Sequence, residues 1–229
     1  MIGISKLYCG AVEAADVLRY GRHSAKLPSH LLQFSKDKRP VVVWNVTRRC
    51  NLKCIHCYSS SQNVLYSDEL TTQEGKRLID DLAAFGSPVL LLSGGEPLMR
   101  PDLPELIAYA KMRRLRTNLI TNGLRCGADG YVEKLAAAGL DSAQVSLEAG
   151  EAAIHDEVVA HPGAFELTVQ GVRNLKAAGI HTHTNTTINA KNQADLPELI
   201  DFLSEMGQEY LSMNMVIRTG GAVGSVDLG

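Results

Sequence analysis

The sequence lacks any apolar run long enough to cross a membrane as a helix, and its first ten residues hold no apolar core of the signal-peptide kind. It also has little net charge: 23 Lys and Arg against 25 Asp and Glu leave −2. That balance gives no electrostatic footprint for nucleic acid. The one basic cluster, Lys111 to Arg116, falls where a helix is expected to end, so its cations complement the helix dipole. Five cysteines are too few, and odd in number, for a disulfide framework. With hydrophobic residues at 45% and charged residues at 21%, disorder and fibrous repeats are excluded as well. The expectation is a cytoplasmic globular protein with neither nucleic acid nor membrane as a partner.

What is present is alternation. Short runs at residues 41–45, 89–93, 117–121, 143–147, 183–188 and 211–216 are apolar or rich in Thr and Asn, as strands covered on both faces would be. Between them lie amphipathic stretches with clear stops. Thr71 with Glu74 three residues on reads as a capping box, and Leu78, Leu82 and Phe85 then recur before Gly86. Stretches 131–138, 164–178 and 194–206 each run into a glycine, the expected C-terminal cap, whereas 101–113 has none. Strand–helix alternation means a parallel sheet with right-handed crossovers. The fold class expected is α/β, a partial (β/α)6 TIM-like barrel of parallel strands. Residues 1–39 form a lead, 40–218 the barrel, and 219–229 open a C-terminal extension that the sequence does not contain.

Chemistry concentrates in Cys50-Asn51-Leu52-Lys53-Cys54-Ile55-His56-Cys57, directly after the first run. A structural zinc site wants four ligands, commonly two Cys/His pairs, and no second CxxC exists here. Three cysteines suit a [4Fe–4S] cluster with one iron left without a protein ligand. A zinc-stabilised binding module is the alternative.

The Cx3Cx2C spacing followed by Tyr58 resembles the radical S-adenosylmethionine (radical SAM) superfamily. The resemblance implies that Cys50, Cys54 and Cys57 hold the cluster, that S-adenosylmethionine (SAM) chelates the fourth iron, and that the reduced cluster splits SAM into methionine and a 5′-deoxyadenosyl radical. Gly94-Gly95-Glu96-Pro97 matches the superfamily's GGEP motif, which binds the SAM amino group. Its two glycines would let backbone approach the ligand, and the Glu96 carboxylate would accept from an ammonium. Thr121-Asn122-Gly123 resembles the family's TNG turn. Ser146 and Glu148 occupy the place where relatives carry Ser-Leu-Asp against the SAM ribose or carboxylate, and Asn192 matches a recurrent polar position. The stretch from His155-Asp156 to Gly163-Ala164-Phe165 resembles an "HD…GxF" segment in which many relatives carry an Arg for the SAM carboxylate. Here Val158, Val159, Ala160 and His161 stand in its place, which leaves that partner open. Every candidate lies at the C-terminal end of a strand, the mouth of a parallel α/β barrel.

The phrasing between motifs, such as residues 44–54, 69–71 and 88–98 with Leu7-Tyr8-Cys9-Gly10 in the lead, resembles the NirJ- and AhbC-like tetrapyrrole-modifying branch. That resemblance implies removal of acetate side chains from an iron-tetrapyrrole, didecarboxysiroheme, in heme biosynthesis. The alternatives are a heme d1 synthesis enzyme acting on propionates and a peptide-modifying maturase. It implies a low-potential electron donor such as flavodoxin or ferredoxin, and a second [4Fe–4S] cluster in the C-terminal region beyond this sequence. Arg125 and Arg218 are the candidates to meet substrate carboxylates. Cys126, Met213 and Met215 read as core, Cys9 as a buried thiol, and His181 and His183 as residues of one strand face that could look into the lumen.

Overall fold

A computed structural model describes residues 2–3, 39–128, 130–217 and 219–223. The lead, with Cys9, and residues Arg218 and 224–229 fall outside these, apart from the pair Ile2–Gly3.

Six strands run parallel. They are β2 (Val42–Thr47), β3 (Val89–Gly94), β4 (Arg116–Thr121), β5 (Ser142–Ser146), β6 (His181–Ile188) and β7 (Tyr210–Met215). A two-residue β1 (Ile2–Gly3) pairs antiparallel with β7, giving the sheet order β1-β7-β6-β5-β4-β3-β2. The two ends of the sheet do not pair, so the architecture is an open (β/α)6 partial barrel. All six expected strands are present, within two residues at either end. The crossovers are α1 (Thr72–Phe85), α2 (Leu103–Met112), α3 (Leu124–Gly127), α4 (Tyr131–Ala138), α5 (Ala152–Val159), α6 (Ala164–Ala177) and α7 (Leu196–Glu205).

Local chemistry fixes these boundaries. At α1 the Thr71 hydroxyl accepts from the Glu74 N–H while the Glu74 carboxylate accepts from the Thr71 N–H, the reciprocal box that the spacing implies. Gly86 then ends the helix in the left-handed region, at φ 81°. Helix α2 has no glycine, and Arg114 takes the left-handed position itself at φ 61°. The N–H of Leu115 still reaches back to the Ala110 carbonyl at 3.0 Å, closing the same motif without the usual residue. Two of the basic residues there do more than face the dipole: Lys111 pairs with Asp141 and Arg113 with Asp80.

The strands are covered unequally, against the expectation of two apolar faces. Their outer faces carry Trp44, Val46, Leu90, Leu92, Leu119, Ala143 and Val145, which join Ile79, Leu103, Leu106, Leu135 and Leu175 in one core beneath the helices. A second core gathers Leu147, Phe165, Val169, Leu199, Leu203 and Leu211. Fully burying such a side chain contributes about 1.5–3 kcal/mol, so the helical layer supplies the stability of the sheet. The inner face of β4 to β7 is polar. Ser142 donates to Asn118 at 2.7 Å, Gln144 and His183 meet at 3.1 Å, and Ser212 and Asn214 donate to Asn185 at 2.8 and 2.7 Å. His183 does look into the lumen. Met213 packs on the second core as expected, but Met215 is 60% exposed at the strand end.

Candidate functional site

The C-terminal ends of the strands enclose a cavity of about 370 Å³, within the range of small-molecule sites. Cys50, Cys54 and Cys57 line it together with Glu148, His155 and Thr187.

The cysteine loop is held by main-chain bonds to three parts of the molecule. The Cys50 N–H donates to the Gln62 carbonyl, the Ile55 N–H to Val158 of α5, and the Gly221 N–H to the Cys57 carbonyl. Beneath it the pairing register of β2 and β3 shifts between Asn45 and Thr47, which turns the chain out of the sheet. The glycines of the GGEP turn serve this loop. A Cβ on Gly94 would sit 2.1 Å from the Thr47 carbonyl oxygen, and one on Gly95 2.5 Å from that of Arg49. Their missing side chains let the turn dock on the cysteine loop, where the Gly95 and Glu96 N–H groups donate to those two carbonyls at 2.8 Å. The close approach read from the sequence is therefore to backbone, at residues that also line the cavity.

Glu96 is 1% exposed and outside the cavity lining. Its carboxylate accepts from the Leu98 N–H (3.0 Å), the Thr121 hydroxyl (2.7 Å) and the Asn122 N–H (2.8 Å). Burial pushes its pKa up, opposed by those three donors and by Arg125. Pro97 begins a buried 3-10 turn behind it. Asn122 does line the cavity, and its amide donates to Asn51 of the cysteine loop at 2.9 Å. The turn, the buried acid and the loop are thus one hydrogen-bonded unit.

Ser146 and Glu148 line the cavity. The Glu148 carboxyl is buried, accepts from the Thr187 N–H at 2.9 Å and lies 3.5 Å from the His56 Nε2. Burial raises its pKa to about 8, the Thr187 N–H opposing. Asn192 is not a cavity residue. Its amide donates to the Glu148 and Thr187 carbonyls at 2.7 and 3.0 Å and its oxygen accepts from the Asn189 N–H, so it braces the mouth from behind. Arg125 is likewise engaged inside the fold, against the Leu98 carbonyl and 4.4 Å above the Tyr131 ring, and does not line the cavity. Asp156 explains its own motif: it accepts from the N–H groups of Gly163 and Phe165 and so caps the start of α6.

The three sulfurs fit a cluster better than a single ion. Each of Cys50 and Cys54 feels the charge of its neighbouring cysteines. Yet among the described residues no three His, Cys, Asp or Glu converge on a point that could hold one ion. A cubane takes each thiolate on a different iron, so it requires no such point. Burial pushes the Cys50 thiol up to about 11 and raises Cys54 further. At Cys57 burial also raises, but hydrogen bonds from the Ser59 hydroxyl and the main chain of residues 59–61 outweigh it and leave the thiol below its ordinary value. Iron binding is what would deprotonate the other two.

Residues 44–203 match the family model described as the radical SAM superfamily. The chain belongs to that superfamily. Its members bind a [4Fe–4S] cluster and S-adenosylmethionine. Over 90% of its length the chain is 54% identical to the Fe-coproporphyrin III synthase of Methanosarcina barkeri, and over 79% it is 38% identical to an AdoMet-dependent heme synthase of the same organism. It covers 51% of each, so the chain spans about half the length of these relatives. Streptococcus suis SuiB bound to S-adenosylmethionine superposes with a TM-score of 0.67 at 18% identity, covering 82% of this chain and 42% of that one. The radical SAM partial barrel is the fold they share.

Among the described residues that line the cavity there is no Lys or Arg, and Glu148 is the one carboxyl. Strand periodicity could have found the rest of that lining, since Gln144, Asn185 and Thr187 alternate on the inner faces of β5 and β6. His56 was legible only as part of the cysteine spacing.

The buried imidazoles make the fold sensitive to acid. Burial pulls His155 and His183 each down to about 4 from 6.5, with His181 adding to the effect at His183. Between those values the unfolded chain binds protons that the folded chain does not, so stability rises with pH across the window, by about 2–3 kcal/mol for each imidazole. Urea unfolding of the apoprotein should show a smaller rise from pH 4 to 6.5 in His183→Gln than in wild type, the raised Glu148 and Glu96 carboxyls opposing the rise equally in both. An equal slope in the variant would assign the acid sensitivity to other groups.

Proposed function

We propose that this chain is the radical-generating barrel of an enzyme of heme biosynthesis that removes acetate side chains from an iron-tetrapyrrole, didecarboxysiroheme. The observation that carries the reading is the cavity: three cysteines, the GGEP turn and Glu148 on one mouth, in a chain 54% identical to an Fe-coproporphyrin III synthase. Coproporphyrin bears methyl and propionate substituents, so a precursor with additional acetates reaches it by losing them. On this reading residues 40–218 form the barrel, 1–39 its lead and 219–229 the start of a further region, which supplies the second cluster.

When bound, the cluster supplies an electron that splits SAM and yields a radical able to take hydrogen from the substrate. The protein's part is to hold and exclude. Cys50, Cys54 and Cys57 hold the cluster on a loop fixed to Gln62, α5 and the segment at Gly221. On this reading Glu96, which keeps one carboxylate lone pair beyond its three internal donors, accepts from the SAM ammonium. Ser146 and Glu148 meet the ribose. A flavodoxin- or ferredoxin-like donor provides the electron.

The test is anaerobic incubation of the reconstituted protein with SAM, a strong reductant and didecarboxysiroheme, followed by mass spectrometry. The expected products are 5′-deoxyadenosine and an iron-tetrapyrrole lighter by its acetates. Formation of 5′-deoxyadenosine with the tetrapyrrole untouched would retain the radical chemistry and overturn the substrate.

A further inference from the structure

We propose that His155 is a SAM-binding residue, donating a hydrogen bond from Nε2–H to the carboxylate of SAM. This rests on the reading of the cavity as a SAM site. The ring lines the cavity and is 1% exposed. Its tautomer is set by the main chain: the Glu148 N–H donates to Nδ1 at 3.1 Å. An N–H donates only to a lone pair, so Nδ1 is bare and the neutral ring carries its proton on Nε2. Burial holds the ring neutral, with a pKa near 4, so Nε2–H is its single donor. That nitrogen is buried and has no hydrogen-bond partner among the described residues.

A buried donor without an acceptor is an unfavourable arrangement that a ligand relieves. The edge of Phe165, 5.8 Å away between ring centroids, and the Glu148 N–H fix the orientation of the imidazole, so the donor is pre-set rather than recruited. SAM's anionic acceptor is its carboxylate. Among the described residues no Lys or Arg lines the cavity to meet it. The other polar groups near His155 suit different partners. The Glu148 carboxyl suits the sugar hydroxyls in either protonation state, and the Asn122 amide is already engaged with Asn51. His155 therefore provides the neutral donor where a cation is missing, one helical turn before Val159, which lines the same wall.

Two variants separate donor from scaffold. In His155→Asn the side-chain oxygen can replace Nδ1 as acceptor for the Glu148 N–H, but nothing reaches the Nε2 position. In His155→Gln the longer amide restores a donor there. SAM binding is measured by calorimetry on anaerobically reconstituted protein whose iron content is checked first, with decarboxylated SAM as the second ligand. Loss of a charge-assisted bond should weaken SAM binding about ten- to hundredfold in His155→Asn, with His155→Gln within a few-fold of wild type. Decarboxylated SAM should bind His155→Asn and wild type alike. SAM affinity unchanged in His155→Asn overturns the proposal, and so does an equal loss with decarboxylated SAM, which would make the ring structural. Should His155→Asn fail to retain iron, His155→Gln decides: folded and binding, it supports the donor; folded and not binding, it overturns it. Wild type that holds iron and binds no SAM would instead remove the underlying reading.

Discussion

Replacing Cys50, Cys54 and Cys57 together by alanine should remove iron and SAM cleavage in one step. The three cysteines line one cavity, Cys50 feels the charge of Cys57, and Cys54 that of both others, so they act as one ligand set. With a fourth iron reserved for SAM, the protein has no spare thiolate to replace a missing one. Cys126 cannot substitute: it is fully buried in the core under the helices, and burial pushes its thiol up to about 12. Cys126→Ala is therefore the control, expected to lose stability through a small cavity yet to bind about four irons after reconstitution with iron and sulfide. The measurement is iron and sulfide content with the low-temperature EPR of the reduced protein. A triple variant with full iron content would sink the assignment. A colourless wild type holding one zinc would restore the binding-module alternative.

The sequence carried the sheet because each strand has an outer face of branched residues that only helices can cover. Trp44 and Val46, Leu90 and Leu92, or Ala143 and Val145 could be placed from period two alone. What it obscured was the other face. Thr and Asn in β4 and β6 suit a buried strand in composition, and only the curvature of the open sheet shows that Asn118, His183 and Asn185 form a polar ladder across a lumen. Helix α5 escaped because it has eight residues and no side-chain cap at its start. The left-handed Arg114 leaves no mark at all, since the residue is chosen against its own backbone preference.

At the site the cysteines and Glu148 were legible because their chemistry has few other uses in that spacing. The roles of Gly94, Gly95 and Asn192 were not, because they depend on contacts with segments distant in sequence. Gly94 and Gly95 are dictated by carbonyls of Thr47 and Arg49, which come within reach only when β2 lies beside β3. Asn192 is dictated by two free carbonyls at the end of β5 and β6. A motif read as ligand-binding can thus be one layer removed, holding the backbone that holds the ligand. His155 is the converse, a residue recognised as part of a stretch, which lines the cavity and keeps one ring nitrogen unmatched among the described residues.

Glu96 tests that distinction because it occupies both layers. Glu96→Gln is close to isosteric, but it replaces one acceptor oxygen by a donor. If the amide nitrogen takes the Oε2 position it faces the Asn122 N–H, now 2.8 Å from an acceptor. If it takes the Oε1 position it faces the Leu98 N–H. The Thr121 hydroxyl can turn to accept, but a main-chain N–H cannot. One buried donor is left unmatched either way, so the apoprotein should lose about 1–3 kcal/mol in urea unfolding. The damage should not stop there. The Asn122 turn is tied to Asn51 in the cysteine loop, so a loosened turn disturbs the cavity wall next to the cluster. On the proposed reading, in which Glu96 accepts from the SAM ammonium, loss of its charge adds a further weakening of SAM binding, on the order of ten- to hundredfold. Thr121→Val separates the two effects. It removes one donor to Glu96 and keeps the charge, so it should reduce stability and leave SAM affinity within a few-fold of wild type. Equal SAM binding by wild type and a folded Glu96→Gln would place the ammonium elsewhere. A variant as stable as wild type would show that the three bonds to the buried carboxylate do not hold the turn.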